Sequence, residues 1–163
     1  MNSHVTFVKL KAVVSAETMT IHHSKHHNTY VTNLNVALEK LDAAASAGDV
    51  SGIIGLEGAL KFNGGGHLNH TLFWENLCTK EDSELKDGPL KTAIEAKYGD
   101  VESMKQELSA MSVGVQGSGW GWLGYNSKSG KFFKIMILSR FSLPSTLNLY
   151  ITPCCFFGML RIH

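Results

Sequence analysis

The histidines constrain what this chain can fold into more than any other feature. Six of its eight fall in two tight groups, His22-His23-Ser24-Lys25-His26-His27 and His67-Leu68-Asn69-His70. The groups lie almost symmetrically about one short polar loop, Ser46-Ala47-Gly48-Asp49, and the midpoint of His22 and His70 is residue 46. Helices that flank this loop and pack antiparallel bring the two groups level with each other. Imidazole is the commonest transition-metal ligand, and facing helices can each aim one inward. The pattern predicts a helical hairpin carrying a two-histidine metal site. His22 with His70 and His23 with His67 satisfy the symmetry about equally, so spacing leaves the pair open.

Local signals support the hairpin. Ser15 before Ala16-Glu17 reads as a helix N-cap with an acid in the first turn, where it complements the helix dipole. Tyr30, Leu34, Leu38 and Leu41 recur at helical spacing, so an apolar stripe runs to about Ala45. Gly48-Asp49 ends that helix, and Asp49 or Ser51 can cap the next, which carries Ile53, Leu56, Leu60, Leu68, Leu72 and Phe73. Gly64-Gly65-Gly66 sits in its middle, and each glycine costs a helix about 1 kcal/mol relative to alanine. Either the helix breaks there, or close packing against the first helix compensates.

Residues 79–88 form a charged linker. Pro89 starts a short helix to Tyr98, and Asp100 caps another to about Ser112. The glycine-rich run that follows cannot stay helical. Trp120, Trp122 and Leu123 read as a strand, Asn126–Gly130 as a hairpin turn and Lys131–Leu138 as the returning strand. From about Ser139 the texture changes to apolar runs broken by Pro144 and Pro153, which are not expected to continue an orderly sheet.

A net charge of +1 over 163 residues argues against a broad polyanion footprint, so no nucleic-acid partner is expected. No apolar run reaches the roughly 20 residues that span a bilayer, so no membrane partner is expected either. Three cysteines, two of them adjacent, do not make a disulfide framework. On a regular helix His22, His26 and Tyr30 share one face, which puts His26 and Tyr30 on the approach to a metal held by His22 and His70. Trp74, Trp120 and Trp122 suit a core, or a dry wall around a redox metal. The glycine triplet is not a phosphate loop, because no Lys-Ser/Thr follows it.

Three long motifs carry a resemblance. Ser15-Ala-Glu-Thr-Met-Thr-Ile-His-His-Ser-Lys-His-His-Asn-Thr-Tyr-Val, Leu60-Lys-Phe-Asn-Gly-Gly-Gly-His-Leu-Asn-His-Thr-Leu-Phe-Trp74 and Ser112-Val-Gly-Val-Gln-Gly-Ser-Gly-Trp-Gly-Trp-Leu-Gly-Tyr125 closely resemble the manganese superoxide dismutases of the iron/manganese family. The resemblance covers roughly 15–130. It implies an α+β fold, an N-terminal antiparallel α-helical hairpin followed by an incomplete α/β domain with a small antiparallel sheet. The chain then divides into a divergent segment 1–14, the hairpin domain 15–78, the partial α/β domain 89–138 and a tail 139–163 outside the family pattern.

The resemblance further implies that His22 and His70 are metal ligands and that the metal is manganese, cycling between Mn2+ and Mn3+. It implies that His26 and Tyr30 line the substrate channel, with Tyr30 in the proton-delivering network, and that Trp74 and Trp120 form the apolar wall. Iron-type relatives usually carry glutamine at the position of Gly66, so this sequence looks manganese-type. The implied reaction converts superoxide to oxygen and hydrogen peroxide. A homo-oligomer, dimer or tetramer, and a mitochondrial matrix location are implied likewise.

The Asp-x-Trp-Glu-His segment that supplies the family's other two protein ligands does not occur in this sequence. The chain therefore reads as a truncated or alternatively spliced product, or as the product of a faulty gene model. Weak or absent activity is expected of this polypeptide alone, since Mn(II) sits at the weak end of the divalent affinity series. The alternative reading is a catalytically inactive fragment that pairs with full-length subunits, or a non-productive splice product.

Overall fold

The computed structural model describes residues 14–78, 83–114, 119–126, 131–138 and 152–154. The sequence readings for 1–13, for the turn at 127–130 and for most of the tail lie outside these residues.

Helix α1 (Ala16–Ile21) starts where expected: the Ser15 hydroxyl accepts the Thr18 amide at 3.1 Å. The chain then makes one π-helical turn, His22–His27, and continues as α2 (Asn28–Ala47). Gly48 stops α2 in the left-handed region at φ 67°, with its amide donating to the Ala45 carbonyl and that of Asp49 to the Ala44 carbonyl. A residue with a Cβ is disfavoured there. Of the two candidate caps for the next helix, Asp49 is the one used; its carboxylate accepts the Gly52 amide at 2.9 Å.

Helix α3 (Val50–Glu75) runs unbroken through the glycine triplet and lies antiparallel against α2. The compensation is close packing. A Cβ on Gly66 would overlap the Tyr30 ring carbons, and one on Gly64 would sit 3.6 Å from Leu34 Cδ1. The hairpin inferred from the histidine symmetry is thus formed, and the triplet is what lets its helices approach.

Helices α4 (Pro89–Tyr98) and α5 (Val101–Val113) follow, the second capped by Asp100, whose carboxylate accepts the Ser103 amide at 2.6 Å. Strands β1 (Gly119–Asn126) and β2 (Lys131–Leu138) pair antiparallel from Gly119 opposite Leu138 to Asn126 opposite Lys131. A third strand, β3 (Thr152–Cys154), pairs antiparallel with the other side of β1, giving the order β2-β1-β3. The tail therefore adds a strand to the sheet, which its proline-broken pattern did not suggest. Pro153 is tolerated because β3 lies at the sheet edge.

Ile94, Tyr98, Met104, Leu108 and Leu123 make one core between α4, α5 and β1. Trp120 and Trp122 are buried beside it and stack at 5.7 Å. Trp120 also meets Phe73 and His70 of α3, so an aromatic layer joins the sheet to the hairpin at the level of the histidines. Among the described residues no helix is long and apolar enough to cross a membrane.

Candidate metal centre

The π-helical turn decides which histidines face the hairpin interior. In such a turn the hydrogen bonds run from i to i+5, so residues four and five positions on both lie off the axis of residue i, one to each side. His22 is half-buried, His27 is buried at 4% exposure, and His26 is exposed. The regular spacing that grouped His22, His26 and Tyr30 on one face does not describe this turn. His26 keeps an edge contact to His22, with ring centroids 6.0 Å apart.

His22 and His70 converge across the hairpin with their Nε2 atoms 3.0 Å apart. The other nitrogen of His70, Nδ1, lies 2.7 Å from the Gly66 carbonyl oxygen. A carbonyl only accepts, so His70 carries its proton on Nδ1, and its Nε2 lone pair, turned toward His22, accepts the His22 Nε2–H in the metal-free chain. This is the arrangement by which an outer partner fixes a metal-binding imidazole. Burial is the main cause that holds the His70 pKa down at about 4, and that of His22 below its ordinary value. Both rings are therefore neutral at pH 7, as ligands must be.

A second histidine pair lies beside the first. His27 Nε2 is 2.9 Å from His67 Nδ1, and the Trp74 indole nitrogen donates to His27 Nδ1 at 3.0 Å. His27 stacks on His70 with centroids 5.2 Å apart and planes 12° from parallel. Burial, followed by the neighbouring imidazoles His70, His67 and His23, holds the His27 pKa at about 4. His67 thus pairs with His27. The sequence carried a signal for this pair, since His27 and His67 have their midpoint at residue 47, inside the same loop.

Aromatic rings enclose both pairs. Trp74 packs 5.1 Å from His22 and 5.3 Å from His23, Phe73 is 5.2 Å from His22, and Trp120 meets His70 edge-on at 5.0 Å. The Tyr30 ring lies 5.3 Å from His70 and 5.6 Å from Phe62. Tyr30, Trp74 and Trp120, singled out from the sequence, all stand against the histidine cluster.

Imidazole–metal bonds of about 2.1 Å, the length found for zinc, place two ligands at right angles about 3.0 Å apart. The separation of 3.0 Å between His22 and His70 fits adjacent positions on one ion. Among the described residues no group of three or more histidine, cysteine, aspartate or glutamate side chains could hold a metal. The fit therefore covers two positions of a coordination shell.

Profiles of the iron/manganese superoxide dismutases match the chain, the alpha-hairpin domain over residues 6–78 and the C-terminal domain over 86–154. The second match runs past residue 138, where the sequence reading ended the partial domain, and includes β3. The chain is 60% identical over 116 residues to the mitochondrial manganese superoxide dismutase of Charybdis feriata, covering 71% of this chain and 51% of that protein. It is 50% identical to that of Drosophila melanogaster over 125 residues, 77% of this chain and 57% of the relative. The Branchiostoma floridae protein of the same name is 47% identical, over 84% of this chain and 94% of its own length. The chain spans about half the length of the first two relatives.

Proposed function

Since the chain belongs to the iron/manganese superoxide dismutase family, we propose that His22 and His70 hold a manganese ion at which two superoxide anions and two protons become oxygen and hydrogen peroxide. The observation that carries this reading is the pair of Nε2 atoms 3.0 Å apart, with the His70 lone pair turned toward His22 because the Gly66 carbonyl holds the proton on Nδ1. When bound, manganese supplies the one-electron cycling that imidazole and phenol side chains cannot.

The chain's own residues supply the rest. Phe73, Trp74 and Trp120 wall the pair with apolar surface, which limits water and lowers the local dielectric. We assign to Tyr30, whose ring rests on Gly66 and 5.3 Å from His70, the donation of a proton to reduced substrate, and to His26, exposed beside His22, a place on the approach from solvent. Two imidazoles alone hold Mn(II) weakly, because it favours oxygen ligands. The isolated chain should bind manganese loosely and turn over slowly. The mitochondrial relatives make a mitochondrial location the natural one for this chain as well.

Titrating Mn2+ into the purified chain, with free ion read by electron paramagnetic resonance, tests the site. Each of His22→Ala and His70→Ala should weaken binding by more than the 10–100-fold typical of losing an outer partner. The same variants should remove superoxide decay above the level of free Mn2+. Binding unchanged in His70→Ala would sink the assignment.

A second reading rests on the hairpin surface. Val50 and Ile54, one turn apart on α3, are 65% and 66% exposed, and Val36, Leu38, Phe62 and Leu68 also face solvent. We read this apolar surface as an association site. The chain then acts by pairing with another family subunit, as a homo-oligomer or beside a longer copy. Co-expression should give mixed oligomers, and size exclusion resolving only separate species would count against it.

A further inference from the structure

Two histidine pairs of nearly equal spacing lie side by side in this hairpin, and distance alone does not tell an ion which to choose. His22 and His70 are 3.0 Å apart, His27 and His67 2.9 Å. The outer partners differ in sense. At His70 the partner is the Gly66 carbonyl, an acceptor, which forces the proton onto Nδ1 and leaves Nε2 to accept the His22 Nε2–H, a proton that His22 can shift to its own Nδ1 when an ion arrives. At His27 the partner is the Trp74 indole, which can only donate. His27 Nδ1 must accept, so the ring's proton sits on Nε2, where it donates to His67 Nδ1. His67 in turn carries its proton on its own Nε2.

The chain of hydrogen bonds from Trp74 to His27 to His67 thus takes up the lone pairs of His27 Nδ1 and His67 Nδ1. A metal ion on His27 Nε2 would need that proton to leave. With Nδ1 already occupied by the indole N–H, the ring would have to become an imidazolate, which a neutral-pH imidazole resists. A cation at His27 is excluded by the same bond, because a doubly protonated ring has no lone pair for the indole.

We propose that the Trp74 indole N–H closes the His27–His67 pair to metal ions and so confines a metal to His22 and His70. Trp74 is a positioning residue here: it acts on a proton location through His27, not on the ion. The proposal deepens the metal-site reading given above and rests on it for the identity of the favoured pair.

The test uses the full chain labelled with 15N and free of metal. Ring-nitrogen spectra should show His27 protonated on Nε2 and bare on Nδ1, and His70 the reverse. Trp74→Phe keeps the ring bulk and removes the donor, and should bring a population of His27 with its proton on Nδ1. Zinc ion, titrated alone, is the metal probe. Wild type and His67→Ala should bind equal numbers of zinc ions. Trp74→Phe should bind one more, lost again in Trp74→Phe/His67→Ala.

A wild-type His27 protonated on Nδ1 would overturn the proposal, and so would a loss of zinc on going from wild type to His67→Ala. A well-folded Trp74→Phe that gains no zinc would do the same. If that variant does not fold, the wild-type spectrum and the His67→Ala comparison still decide. Zinc binding indifferent to His70→Ala would count against the metal-site reading instead, while the His27 spectrum reads the tautomer on its own.

Discussion

Gly66 and Tyr30 occupy one space. The Tyr30 ring lies directly on the α3 backbone, and a Cβ at Gly66 would overlap it. Alanine is favoured over glycine in a helix by about 1 kcal/mol, yet the overlap forces either the ring or the helix to move, at a cost of about 1–3 kcal/mol. Gly66→Ala should therefore be neutral to destabilising in urea melts. In a Tyr30→Ala background the same change should stabilise by up to about 1 kcal/mol, because the space is then open. Equal effects in both backgrounds would mean that Tyr30 does not rest on Gly66. The sequence posed this position as a choice between a broken helix and a close partner. Only the packed hairpin selects the second, since the partner lies 36 positions away in the chain.

At the scale of elements, α3 carries six glycines for different reasons. Gly52 sits under the Asp49 cap and Gly66 under Tyr30, whereas a Cβ at Gly55 or Gly58 meets nothing within 4 Å. Gly55→Ala and Gly58→Ala should each raise stability by about 1 kcal/mol, seen as a higher urea midpoint at unchanged slope. No gain at either would show that the face bearing them is covered in solution. The starts of the helices were legible because caps are local: Ser15, Asp49, Pro89 and Asp100 each act within one turn. The π-helical turn at His22–His27 was not legible. A 3.6-residue period cannot report its extra residue per turn. The pairing of His27 with His67 and Trp74 was missed for the same reason, although the loop symmetry already contained it. Strand β3 was hidden by Pro153, whose placement at an edge only the assembled sheet reveals.

For the whole molecule, the histidine cluster sets a limit in acid. Burial holds His27 and His70 at about 4 and moves His22 the same way, with the facing imidazoles of His23, His26 and His67 adding to it. In the unfolded chain each titrates near 6.5. Below that value the unfolded state takes up protons that the folded state refuses, so unfolding gains as pH falls. The stability of the metal-free chain should be full above about pH 6.5 and decline from there toward pH 4. Between those limits, about two to three protons should be taken up per molecule on unfolding, measurable as the slope of unfolding free energy against pH. His27→Gln should remove about one of them. The cluster joins the hairpin to the sheet through His70 and Trp120, so acid should loosen that junction before the Ile94–Leu108 core. Loss of the Trp120 fluorescence environment should precede loss of helical circular dichroism. A melt that is flat from pH 7 to pH 4.5, or one in which both signals fall together at every pH, would show that the histidines do not carry the junction.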